Sequence, residues 1–173
     1  MRKGLALAGV LGAVLLARSR RFRWEGKVAL IVGGSRGLGL LLARRFGRQG
    51  AKVVLAARNE SELLEAQNEL RGEGIDAEVV VADVADEAQA FSMVERAVAR
   101  FGRLDVLVNA ASIIVVAPLE ALSLDDLRAA MAVNFWGTVY ACWAALPHLK
   151  RGARIVNVSS IGGEIAVPHL LSY

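Results

Sequence analysis

The residues Gly33-Gly34-Ser35-Arg36-Gly37-Leu38-Gly39 combine backbone freedom, a hydroxyl and a guanidinium in one short turn. Glycines at 33, 37 and 39 permit a tight turn, a close approach of the main chain to a phosphate, and close packing of a following helix on a preceding strand. A helix that opens at about Gly37 presents N–H groups with no intrahelical partner, and these attract an anion. The chemistry this turn suits is recognition of a dinucleotide pyrophosphate. Its spacing is G-x-x-x-G-x-G rather than G-x-G-x-x-G, and no Lys-Ser or Lys-Thr pair follows it. A P-loop NTPase is therefore disfavoured.

Other chemically capable side chains are few. Cys142 is the single cysteine; without a disulfide partner in the chain or a neighbour at zinc-ligand spacing, it reads as a buried structural thiol of a reduced, cytosol-facing protein. His148 and His169 stand without a carboxylate or cysteine at ligand spacing and are expected to be non-catalytic. No metal site is expected.

These groups need a scaffold. From Trp24 onward, short β-branched runs alternate with longer helical patterns, which signals βαβ units and a parallel sheet. Strands are predicted at Val28 to Val32, Lys52 to Ala56, Ala77 to Val81, Leu104 to Val108 and Arg154 to Val158. Between the first two, Leu38, Leu41, Leu42, Arg45 and Phe46 follow helical spacing and stop at Gly50. Asn59 is placed to cap a helix running to about Arg71, and Asp86 one that aligns Phe91, Val94, Val98 and Phe101. Ser123, with Asp126 three residues on, resembles a capping arrangement for a long helix through Leu127, Met131, Phe135, Val139, Trp143 and Leu146, whose last turn Pro147 should bend. Met131 and Trp143 fall on its apolar face and are expected in the core. The predicted fold class is α/β, a doubly wound parallel sheet of about five strands in the order 3-2-1-4-5, preceded by an apolar N-terminal helix.

Charge separates two regions, residues 1–23 and 24–173. The formal net charge is +4, but Arg2, Lys3, Arg18, Arg20, Arg21 and Arg23 all precede the first acid, Glu25. The rest of the chain carries more acids than bases and has no basic stripe to track phosphates, so no nucleic-acid partner is expected. Gly4 to Ala17 contains no polar side chain. Fourteen helical residues rise about 21 Å against a hydrocarbon core of about 30 Å, so spanning relies on local thinning or snorkelling arginines such as Arg18. Residues 1–23 read as a membrane anchor rather than a cleaved signal peptide, because the arginine cluster opposes translocation and no small-x-small site closes the run near Ala17. The same cluster keeps the following domain on the cytoplasmic side. Trp24, beside the arginines, is a candidate for the membrane interface.

From Lys27 onward the chain resembles the N-terminal portion of the short-chain dehydrogenase/reductase family, a Rossmann-like fold, at separated places in the family's order. Besides the glycine turn, Asp83-Val84 after the third strand resembles the adenine-contacting pair, and Asn109-Ala110-Ala111 after the fourth resembles the Asn-Asn-Ala-Gly turn. Asn134 lies where the family keeps a catalytic Asn, and Ser160 precedes Tyr173 by thirteen residues, the family's Ser-to-Tyr interval. The resemblance implies hydride exchange between a nicotinamide and a carbonyl or secondary alcohol. Tyr173 would move the proton on the substrate oxygen, Ser160 would hydrogen-bond that oxygen, and Asn134 would hold a water linked to a lysine four residues beyond the tyrosine. Cofactor residues would be Gly33, Ser35, Arg36, Gly37, Leu38, Gly39, Arg58, Asn59, Asp83, Val84, Asn109 and Ala110.

Charge favours NADP as the cofactor. An NAD enzyme places Asp or Glu after its second strand to hold the ribose 2′-OH; this chain has Ala56-Ala57-Arg58, with Arg36 in the turn. Two guanidinium groups suit a 2′-phosphate, and Ser35 and Asn59 are further donors. One expectation is thus a membrane-anchored NADP-dependent oxidoreductase acting on a lipophilic alcohol or ketone. The alternative is a truncated, non-catalytic nucleotide-binding or membrane-associated fragment, since the chain ends at Tyr173 before that lysine and before the helix in which the family forms part of its dimer seam. Whether the chain forms a homo-oligomer is left open.

Overall fold

The computed structural model describes residues 22–165 and 167–171. The apolar run at 4–17 and Tyr173 lie outside the described residues. Five strands form one parallel sheet: β1 (Val28–Val32), β2 (Lys52–Ala57), β3 (Ala77–Val81), β4 (Leu104–Asn109) and β5 (Leu149–Asn157). Their order is β3-β2-β1-β4-β5. The crossovers are α1 (Gly37–Gly47), α2 (Glu60–Gly72), α3 (Glu87–Phe101), and a rod from Leu124 to His148. Within that rod, α4 (Leu124–Ala130) and α5 (Thr138–Ala145) flank a π-helical turn at Met131–Gly137, and a 3₁₀ turn at Leu146–His148 contains Pro147.

Through β1, β2 and β4 the sheet is apolar on both faces because both are covered, whereas the edge strand β5 is exposed along most of its length. Along β1 and β2, Val28, Leu30, Val32 and Val54 belong to the layer under α3 and the rod, with Met93, Val94, Ala97, Val133 and Ala141. Ala29, Ile31, Val53 and Leu55 point the other way, onto Ala43 of α1 and Leu63, Ala66 and Leu70 of α2. A period-two alternation between two buried faces reads as a continuous hydrophobic run, as a parallel sheet requires. Caps fix where the helices begin. Asn59 accepts from the Glu62 N–H, Asp86 from that of Gln89, and Ser123 from that of Asp126, the last as a reciprocal capping box. The backbone hydrogen bond from Gln89, then its side chain, holds the Asp86 carboxyl below its ordinary range.

Asp105 ties β4 to β1 at the end of the sheet remote from the glycine turn. Its carboxylate accepts from Arg103 at 2.6 and 2.7 Å, from the Val28 N–H at 3.0 Å and from Lys27 at 3.1 Å. Burial pushes this carboxyl up, but the hydrogen bonds from Arg103, Val28 and Lys27 outweigh it and hold it below its ordinary range.

Several expectations need correction. The fifth strand begins at Leu149 rather than Arg154, with a register irregularity opposite Leu104 to Val106. Met131 and Trp143 are 52% and 67% exposed, because small residues, Ala130, Ala141, Ala144 and Ala145, make the buried contact and let the rod approach the sheet closely. By length and composition Leu124–His148 could cross a membrane, yet this alanine face lies on the sheet. In α1 the buried positions are Gly39 and Ala43, while Leu38 and Leu41 face outward. Trp24 stacks on Phe46 at 3.9 Å and packs against the α1–α2 layer. His148 does have a carboxylate partner, the Glu95 Oε1 at 2.9 Å, supplied by α3 across the fold rather than by a sequence neighbour.

Candidate functional site

The strand order reverses between β1 and β4, and the turns leaving their carboxyl ends diverge to open a crevice. Gly33, with φ of 80°, begins the first turn; its N–H and that of Gly34 donate to the Ala56 carbonyl at 2.8 and 3.2 Å, tying the turn to β2. A Cβ on Gly33 would stand 2.6 Å from the Ala111 nitrogen, and one on Gly39 would run into the Gly33 carbonyl. These two glycines are required by close backbone approach, one between the turns and one between helix and strand.

Helix α1 starts differently from its neighbours. Arg36 occupies its N-cap in extended conformation without a side-chain cap, and the first turn contains no acid. Its opening N–H groups have no capping side chain, whereas α2, α3 and α4 each have one. A helix N-terminus left in this way offers donors and positive potential to an anion.

The crevice holds about 480 Å³, within the roughly 300–1,000 Å³ usual for ligand pockets. Gly33, Ser35, Arg36, Leu38 and Gly39 form one wall, Arg58 and Asn59 the end beyond β2, and Asp83 and Val84 the side beyond β3. Ala110, Ala111 and Ser112 form the opposite wall and also border a smaller cleft of about 180 Å³. Asn134, Thr138 and Ser160 line this second cleft. The fold thus brings together most of the sequence-identified positions. Gly37 stays off the crevice wall. Asn109 is turned away: its Nδ2 donates to Asn157 Oδ1 at 2.8 Å and to Cys142 Sγ at 3.3 Å. Burial pushes the Cys142 thiol up against the opposing effect of its hydrogen bonds with Asn109 and Asn157; the thiol is half-buried rather than buried as expected.

Asn134 sits in the π-helical turn, where the wider coil turns its amide toward the loop after β4. Its Oδ1 accepts from the Ile113 N–H and its Nδ2 donates to the Ile113 carbonyl, both at 2.9 Å. These two bonds use one acceptor site and one N–H of the amide and tie the π-helical turn to this loop. Ser160 accepts from the Gly162 N–H at 3.1 Å. Among the described residues its hydroxyl proton has no acceptor, leaving it to be donated into the cleft.

Sequence reasoning missed Glu62. It lines the crevice beside Ser35, Arg36, Arg58 and Asn59, at the third position of α2. The Asn59-x-x-Glu62 spacing was the available signal, since a cap residue and the acid three residues on face each other.

This architecture is matched by a family model described as short chain dehydrogenase over residues 27–173. The chain belongs to the short-chain dehydrogenase family. Among relatives, it is 40% identical over 143 residues to the uncharacterized oxidoreductase YxnA of Bacillus subtilis, covering 81% of this chain and 40% of that protein. It is 39% identical over 141 residues to a peroxisomal 2,4-dienoyl-CoA reductase of Arabidopsis thaliana, covering 82% and 47%. A short-chain dehydrogenase/reductase of Burkholderia phymatum in complex with NAD superimposes with a TM-score of 0.85 at 29% identity, over 88% of this chain and 56% of that one. A gluconate 5-dehydrogenase of Burkholderia cenocepacia in complex with NADP and tartrate does so with a TM-score of 0.80 at 39% identity, over 87% and 61%. The chain spans about half the length of the curated relatives it matches. Structural neighbours of this short-chain dehydrogenase thus include complexes with either NAD or NADP.

Proposed function

We propose that this chain is the coenzyme-binding part of an NADP(H)-dependent oxidoreductase that exchanges hydride with a carbonyl or secondary alcohol. The observation that carries the reading is the uncapped N-terminus of α1, opening beside Arg36 into a crevice that Arg58 also lines. The crevice residues fit a dinucleotide. Main-chain N–H groups of the Gly33–Gly39 turn would hold the pyrophosphate, Asp83 and Val84 the adenine side, and Ala110 the opposite wall. Arg36 and Arg58, with Ser35 and Asn59, would hold the ribose 2′-phosphate. The nicotinamide, when bound, supplies or accepts the hydride.

The second cleft is the substrate side of this reading. Ser160 donates a hydrogen bond to the substrate oxygen as negative charge develops on it. Tyr173 moves the proton on that oxygen, and Asn134 keeps the Ile113 loop in place between the two clefts. The apolar run at 4–17, bracketed by basic residues, supports attachment to a membrane with the domain on the cytoplasmic side, and hence a lipophilic alcohol or ketone as substrate.

Calorimetric titration of the chain with NADPH and NADH tests the coenzyme claim. NADPH is expected to bind about tenfold more tightly, a modest return from charge-assisted hydrogen bonds to a phosphate. Equal affinities would refute the assignment of Arg36 and Arg58, and no binding would refute the site. Alkaline carbonate extraction of membranes tests attachment, which release into the soluble fraction would refute.

A further inference from the structure

Every cation at the far end of the crevice already faces an acid. Arg58 Nη1 lies 4.0 Å from Asp83 Oδ2, and Arg36 Nε lies 3.8 Å from Glu62 Oε2. Glu62 does more than balance one charge. Its Oε2 also accepts from the Ser35 hydroxyl at 3.0 Å, and its Oε1 accepts from Asn59 Nδ2 at 3.3 Å. One carboxylate therefore engages a hydroxyl, an amide and a guanidinium, three of the four donors assigned above to a 2′-phosphate.

From this geometry we infer that Glu62 is a specificity-determining residue, a built-in counter-ion that competes with the 2′-phosphate of NADP(H) and limits discrimination against NAD(H). The inference rests on the coenzyme reading above and goes beyond it. A phosphate entering this corner must take Ser35, Asn59 and Arg36 from Glu62 and then lie near its negative charge. A 2′-hydroxyl meets no such opposition, because it can donate to the carboxylate. Glu62 thus weakens NADPH binding selectively. Arg58 is spared this competition but is shared with Asp83, so neither guanidinium is held in reserve for phosphate alone.

Glu62→Gln separates this role from a structural one. The amide keeps the shape and can still accept from Ser35, while the charge is gone. NADPH is expected to bind the variant about fivefold more tightly, the scale of a single partly exposed charge interaction, with NADH binding no tighter. The gain should shrink as salt is raised, since screening weakens the original repulsion. Glu62→Asp guards against a folding failure, because aspartate is well tolerated in the first turn of a helix. Its shorter side chain withdraws the charge, so it should shift the NADPH-to-NADH affinity ratio in the same direction by less.

If Glu62 only supports the start of α2, the variants will alter the melting temperature and leave that ratio unchanged, which overturns the inference while the coenzyme reading stands. Equal changes in both affinities overturn it as well. If neither coenzyme binds the wild-type chain or the variants, the inference falls together with the reading beneath it.

Discussion

Replacing Asn134 with alanine should loosen the loop between the two clefts rather than only slow a chemical step. The wild-type amide exchanges two hydrogen bonds with the Ile113 main chain, each 2.9 Å long. At about 0.5–1.5 kcal/mol net for each bond, their loss amounts to about 2 kcal/mol. For a domain of this size that corresponds to a fall of roughly 4–8 °C in melting temperature. The local signature is sharper. Hydrogen exchange at the Ile113 amide should accelerate by about 30-fold, the population change that 2 kcal/mol of opening free energy implies. Exchange read by NMR or mass spectrometry at residues 110–115 therefore checks the claim without any substrate. Unchanged protection at Ile113, with a melting temperature within a degree or so of wild type, would refute the positioning role.

Two further perturbations probe the scaffold of the same site. Gly39→Ala drives a Cβ into the Gly33 carbonyl; it should cost about 1–3 kcal/mol in urea denaturation, as overpacking does, and abolish measurable NADPH binding by moving the turn. Asp105→Ala should destabilise the fold by about 3 kcal/mol at neutral pH, because it leaves Lys27, Arg103 and the Val28 N–H without their shared acceptor. The Asp105 carboxyl is held below its ordinary range in the folded state, so its stabilisation is complete above the unfolded-chain pKa and is lost as pH falls through the folded-state pKa. The gap between wild type and variant in urea midpoints should accordingly close under strongly acidic conditions and stay constant between pH 6 and 8.

The chain's own order made much of the fold legible. Val28–Val32 and Ala77–Val81 are strands with the expected limits, because each is a short apolar or β-branched run bounded by turn signals. Asn59, Asp86 and Ser123 cap the helices expected of them, since capping depends on neighbours three residues apart. The rod is less legible. Its large apolar side chains, Met131, Phe135, Trp136, Trp143 and Leu146, are exposed, and the alanines that make contact carry little hydrophobic signal of their own. The π-helical turn at Met131–Gly137 shifts the phase of any periodicity read across it.

At the candidate site the same division holds. The turn at 33–39 and the pair Arg36 and Arg58 are local features, and by themselves they point to a dinucleotide. Their charge environment is not local. Glu62 is distant in sequence from Ser35 and Arg36, and Asp83 from Arg58, yet the parallel order β3-β2-β1 brings these residues to one edge. His148 likewise has its acid partner far away in sequence, Glu95, which reaches it across the fold.

By itself the amino-acid sequence determined the alternation of strands and helices, the helix caps and the anion-binding turn, since each depends on backbone propensity or on side chains within a few residues. Tertiary structure alone decided which face of the rod is buried, that the Asn134 amide clamps Ile113, and which acid meets each cation in the crevice. Those outcomes depend on sheet order and helix placement, and Coulomb and hydrogen-bond energies follow distance in space rather than distance along the chain.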